Sequence, residues 1–236
     1  SSGSALVFST FIGGENQDNG TSLDLGKDNY IDISGATTSS NFPTTFLAFD
    51  DTHNGNYDIF VTRINNTGSA IIYSTYIGGS RNDYASDLIL DSSGNVYITG
   101  NTMSTNFPTT NGAYDRTFNG GDGDIYLLKL HLAYVGLHYS TFIGGSSKDI
   151  GVSIALDGTN NAYITGYTYS SDYPTTSGAW DESHNGDRDV IVTKLNSSGS
   201  SLVYSTFIGG IAHDCGRSIA IDSSINAYVT GYTKSS

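Results

Sequence analysis

The sequence has a single cysteine, Cys215, so no disulfide can close within the chain. A small buried apolar side chain is the role expected of it. Positive charge is scarce: ten Lys and Arg stand against 23 Asp and Glu, a formal net charge of −13. Nucleic acid and anionic membranes both demand a basic face, so neither is an expected partner. No run approaches the roughly 20 apolar residues of a membrane span. Helical periodicity is missing throughout, which predicts almost no helix. No Walker loop, His-Glu-x-x-His string or Gly-x-Ser-x-Gly elbow occurs. Neither an initiating Met nor a signal peptide is visible, and Ser1-Ser2-Gly3 matches the middle of a turn; a section of a longer polypeptide is the expectation.

What is present is repetition. Phe8-Ser-Thr-Phe-Ile-Gly-Gly14 returns at Tyr73, Tyr139 and Tyr204, with spacings of 65, 66 and 65 residues. Asp91-Ser-Ser-Gly-Asn-Val-Tyr-Ile-Thr-Gly100 matches Asp157–Gly166 and Asp222–Gly231. Asn41-Phe-Pro-Thr-Thr45 matches Asn106–Thr110 and Asp172–Thr176. Each unit reads as two hairpins. In the second, residues 86–90 and 96–100 flank a tight turn, and 124–130 and 137–143 follow a long loop. Apolar residues lie on both faces of these strands, so each unit must be covered on both sides. Face-to-face blades satisfy that; a two-hairpin unit alone does not, and solenoid coils are usually shorter than this repeat. The predicted fold is all-β, a β-propeller of four-stranded antiparallel blades of about 65 residues. The blade units are about 15–79, 80–145 and 146–210. A partial blade spans 211–236, residues 1–14 are an outer strand, and the whole is a segment of a longer array.

These motifs resemble SBBP repeats, a bacterial and archaeal family named for a seven-bladed β-propeller. The resemblance implies large secreted or surface proteins with many repeats and no shared catalytic residues. Departures are modest: His131 to His138 replaces a polar turn, and Asp24 and Asp32 interrupt the first hairpin.

Asp18, Asp83, Asp149 and Asp214 recur four residues after each Gly-Gly pair. Recurrence in every unit favours turn capping over a single site. The alternative is a rim on which a closed ring shares calcium; otherwise no cofactor is expected. Asp58, Asp124 and Asp189, and Asp50, Asp115 and Asp181, are read the same way. His53 and His184 share a phase that Phe118 holds in the second unit, so no histidine is required there. Phe49, Tyr114 and Trp180 share another and are read as loop anchors. Asn19, Asn65 and Asn196 head Asn-x-Ser/Thr sequons and are the glycosylation candidates.

The expected function is non-catalytic: an extracellular structural or adhesive scaffold, such as a surface-layer or filament component. It would contact protein or cell-surface partners and self-assemble through edge strands. A carbohydrate-binding propeller is the first alternative and a lactonase- or lyase-type enzyme the second.

Overall fold

A computed structural model describes residues 4–26, 29–132 and 136–236. These residues carry strands and no helix. The first sheet contains β1 (Asp18–Leu25), β2 (Ile31–Thr37), β3 (Asp58–Ile64) and β4 (Ile71–Ile77), hydrogen-bonded in that order. The second contains β5 (Asp83–Leu90), β6 (Val96–Thr102), β7 (Asp124–His131) and β8 (Gly136–Ile143). The third contains β9 (Asp149–Leu156), β10 (Ala162–Thr168), β11 (Asp189–Leu195) and β12 (Leu202–Ile208). A last hairpin pairs β13 (Asp214–Ile221) with β14 (Ala227–Thr233). Every pairing within these sheets is antiparallel.

Successive sheets stack through one recurring contact. The first strand of each sheet packs on the preceding sheet: β5 against β1–β3, β9 against β5–β7, β13 against β9–β11. That stacking buries both faces, as the pattern of apolar residues requires. Ile98, Ile125, Leu127 and Ile164 are wholly buried between sheets. Truncating Ile98 or Ile164 to alanine is expected to cost roughly 2–4 kcal/mol by lost burial and an unfilled cavity, read as a lower denaturant midpoint. The described residues form an open succession of sheets; β1 and β14 are edges.

Two local devices explain the motifs. Each first strand carries a bulge, at Gly20/Ser22, Ala85/Asp87 and Gly216/Ser218, and opposite Thr165/Gly166 in the third sheet. The bulge pushes a first-strand carbonyl onto the facing glycine of the second strand. A side chain at Gly35, Gly100, Gly166 or Gly231 would collide with the carbonyl oxygen of Asn19, Tyr84, Ile150 or Cys215. The final Gly of Val-Tyr-Ile-Thr-Gly is therefore fixed by backbone. The hairpin turn before it needs a left-handed residue, supplied by Asn29, Gly94 and Asn160 and, at the last turn, by Ile225 at φ 68°. A β-branched side chain is strained there. Ile225→Gly is expected to raise stability by about 1 kcal/mol, measurable as a higher melting temperature.

Residues 4–14 depart from expectation: they hold no strand. The reason lies in the pairing rule, since β4, β8 and β12 each pair only with the third strand of their own sheet. Among the described residues no third strand lies beside residues 4–14 to pair with them. Phe8 nevertheless lies against the β3–β4 turn at Gly68, as Tyr139 of β8 lies against the β11–β12 turn at Gly199. The segment thus occupies an outer-strand place without its hydrogen bonds. Residues 1–3, and part of the unusual stretch from His131 to His138, lie outside the described residues.

Candidate functional site: carboxylates at the sheet junctions

Asp18, Asp83, Asp149 and Asp214 each open the first strand of a sheet. Each accepts the N–H of the second glycine before it, from Gly14, Gly79, Gly145 and Gly210 at 2.7–2.8 Å. Each also accepts a serine hydroxyl two residues beyond the second strand, from Ser39, Ser104, Ser170 and Ser235. Thr37, Thr102 and Thr168 donate to the other oxygen of the first three. The carboxylate therefore ties a turn to the end of the second strand, and in Asp18, Asp83 and Asp149 both oxygens accept from donors. A cation would have to displace them. Among the described residues no three His, Cys, Asp or Glu side chains converge.

The threonine and serine partners were missed in the sequence. Their signal was available: Thr-x-Ser recurs at 37–39, 102–104, 168–170 and 233–235, in step with the aspartates.

The third-strand aspartates stand close to this clamp. Asp58, Asp124 and Asp189 accept the N–H of Asn54, Asn119 and Asn185 at 2.6–2.7 Å. Their second oxygen faces the first glycine of Gly-Gly. A Cβ built at Gly144 would stand 3.0 Å from Asp124 Oδ1 and 2.8 Å from Asp149 Oδ2; at Gly78 it would stand 2.6 Å from Asp58 Oδ1 and 3.0 Å from Asp83 Oδ2. Gly209 lies in the same way between Asp189 and Asp214. So a buried carboxylate pair, one member from each of two stacked sheets, recurs at all three junctions. Oδ1 of Asp124, Asp189 and Asp214 has no hydrogen-bond partner among the described residues.

Burial dominates the proton affinity of these groups. It pushes Asp83 and Asp149 up to about 6 despite the hydroxyl and amide donors. It lifts Asp124 to about 7, opposed by the Asn119 N–H and reinforced by the charge of Asp149. Asp58 and Asp189 are raised by burial too, with His53 and His184 opposing. At Asp214 burial is outweighed by the nearby Thr233 hydroxyl and by the Gly210 and Ser235 donors on Oδ2, and its carboxyl is lowered.

The remaining candidates have local duties. Asp50, Asp115 and Asp181 accept the N–H two residues ahead and the Asn54, Asn119 or Asn185 amide. His53, Phe118 and His184 each pack edge-on against a fourth-strand ring: Tyr76, Phe142 and Phe207. Asn65 and Asn196 use Oδ1 to close the turn onto Ser69 and Ser200. Asn19 is exposed on β1. Asp32 is wholly buried and held bidentate by Arg63, with 2.8 Å between Nη2 and Oδ2. The equivalent pairs in the next sheets are Tyr97 with Lys129 and Tyr163 with Lys194, joined through cation–π contacts. Cys215 is buried and free.

A family model described as the SBBP β-propeller repeat matches residues 72–108, 138–174 and 203–236. The chain carries SBBP β-propeller repeats. Each match starts in the outermost strand of one sheet and runs through the first hairpin of the next. The SBBP unit therefore spans a junction, and the Gly-Gly turn, the clamping aspartate and the Thr-x-Ser partners all fall inside it. The equivalent stretch of the first repeat, where Gly26 and Asp32 replace the usual Asp and Tyr, falls outside the matches. No curated protein matches the chain.

Proposed function

We propose that the chain is a section of a β-propeller that serves as a rigid, non-catalytic scaffold at the cell surface, its loops making contacts with protein. One observation carries this reading. Asp83 and Asp149, members of the acidic set that recurs in every repeat, are engaged with backbone N–H and hydroxyl donors at the sheet junctions, where they hold turns. Repeating one clamp at each junction makes a stack that resists bending, while the long loops between second and third strands differ from repeat to repeat. In the first of these loops Phe46 is fully exposed beside Leu47. Asn111-Gly112 and Ser177-Gly178 hold the same place in the other two.

The test has two parts. Labelling of intact cells that make the protein should reach it; labelling only after lysis would sink the surface role. Phe46→Ser should weaken cell or partner adhesion severalfold and leave the melting temperature unchanged.

Carbohydrate binding is a second reading, supported by clefts at equivalent places in successive junctions, the first polar and the second largely apolar. One, of about 440 Å³, is lined by Asn54, Asn56, Arg81 and Asn82; the other, of about 380 Å³, by Asp122, Ser146, Lys148 and Tyr169. Binding on a glycan panel that is lost in Arg81→Ala would favour it.

A further inference from the structure

The outer turns of the first and third sheets are each closed by an asparagine. Asn65 and Asn196 stand directly after the third strand, and Oδ1 of each accepts the N–H of Ser69 or Ser200 across the turn. In the second sheet that position is His131, an imidazole in place of the carboxamide. A second departure lies on the strand that follows. The pairings Ile64↔Ile71, Leu130↔Leu137 and Leu195↔Leu202 align Ile72, His138 and Val203. Ile72 and Val203 are half-exposed aliphatic side chains; His138 is the exception. Two separate replacements thus put the same side chain on the two strands of one hairpin, β7 and β8. They meet in space, with ring centroids 5.5 Å apart and planes tilted by 51°.

The geometry points to a binding site here for one divalent transition-metal ion of the zinc, nickel or copper class, held by the imidazoles of His131 and His138. Two imidazoles on one zinc, each nitrogen about 2.0–2.1 Å from it, hold their ring centres roughly 4.5–5.5 Å apart. The observed spacing falls at the end of that range, so little side-chain motion brings both rings onto one ion. Imidazole selects these metals over calcium and magnesium, which take oxygen ligands. His138 is exposed and His131 partly so; an ion reaches them from solvent, and water fills its remaining positions. Lys129 and Asp91 both act on His138 and are paired with each other at 3.2 Å, so their charges largely cancel at the site. The other three histidines stand singly among the described residues: His53 and His184 lie against Tyr76 and Phe207, and His213 faces Asp187 at 3.3 Å. Bound between β7 and β8, the ion fastens the end of the hairpin that asparagine fastens in the first and third sheets.

Calorimetric titration of the tag-free protein with zinc chloride should show a single bound ion. The melting temperature should rise with zinc concentration, as binding to the folded state alone requires. His131→Asn and His138→Val install the residues of the equivalent turn at Asn196 and Val203, so both variants should fold. Each should weaken zinc binding at least about tenfold, the low end of what losing even a ligand's supporting partner costs a metal site. The zinc-dependent rise in melting temperature should vanish with it. Paramagnetic nickel, added to the parent protein and so independent of any variant, should broaden the ring protons of His131 and His138 before those of His53, His184 and His213. Excess calcium should leave zinc binding unchanged. No binding below millimolar zinc would overturn the proposal, and so would binding that survives either substitution. Nickel broadening centred on another histidine would overturn it as well. Displacement of zinc by calcium would do the same, because it would place the ion on carboxylates.

Discussion

Gly100→Ala should destabilise the protein by about 5 kcal/mol or more, beyond the range of ordinary core substitutions. The added methyl would meet the Tyr84 carbonyl oxygen, and the flanking atoms are the backbone of Tyr84 and Ala85. Overpacking a side-chain core usually costs about 1–3 kcal/mol because rotamers give way. Here nothing flexible lies in the path. The carbonyl is fixed by the bulge between Ala85 and Asp87, and β6 is paired on both sides. The relief available is to flatten the bulge, which would shift the register of β5 and move Leu88 and Leu90 off the face they bury. Gly94→Ala is the control. It sits at φ +80° in open space, so it should cost only about 1 kcal/mol, the price of a left-handed alanine. Equilibrium unfolding in urea compares the two directly. Equal midpoints would mean that the bulge is soft and that the motif's final glycine has another cause.

What could be read beforehand follows from where each signal lies. Strand positions came from alternation within about ten residues, and the strands expected at 124–130 and 137–143 appear as Asp124–His131 and Gly136–Ile143. The four-strand unit followed from the period. The carboxylate pairs did not, because Asp124 and Asp149 belong to neighbouring repeats and meet only when two sheets stack. Asp32 looked like an interruption for a similar reason: its compensation, Arg63, is 31 residues away in the facing strand. Residues 4–14 misled in the opposite direction. Their sequence is that of an outer strand, but a strand's hydrogen bonds belong to its partner as much as to itself.

The protein should be most stable between about pH 4 and 5 and lose stability steadily toward pH 8. The sign follows from the directions of the shifts. Asp83, Asp149 and Asp124 have folded values of about 6, 6 and 7 against an unfolded value of 3.8. The folded state therefore holds their protons more tightly. The stability they contribute is complete below the unfolded value and is lost as pH rises through the folded ones. Asp91, Asp157 and Asp222 act in reverse. Desolvation at Asp91 and Asp157, and to a lesser degree at Asp222, is outweighed by donors from the turn, including the Asn95, Asn161 and Asn226 amides, so their carboxyls are lowered. Their contribution is present above the unfolded value and is lost as pH falls below it. The two sets cross near pH 4–5. Asp124 is the group to test, because Phe118 replaces the neighbouring histidine at this junction and Asp115 and Asp149 are the charges acting on it. Asp124→Asn keeps the shape of the protonated side chain and removes the ionisation. At about 1.4 kcal/mol per pKa unit, the variant should exceed the parent at pH 8 by several kcal/mol at most, less whatever a shared proton with Asp149 already relieves. Near pH 4 the two should be close to equal. Melting curves from pH 3 to 9 decide it. A parent whose midpoint rises from pH 5 to 8, or an Asp124→Asn variant that runs parallel to the parent throughout, would mean that these buried carboxylates stay ionised and draw their compensation from elsewhere.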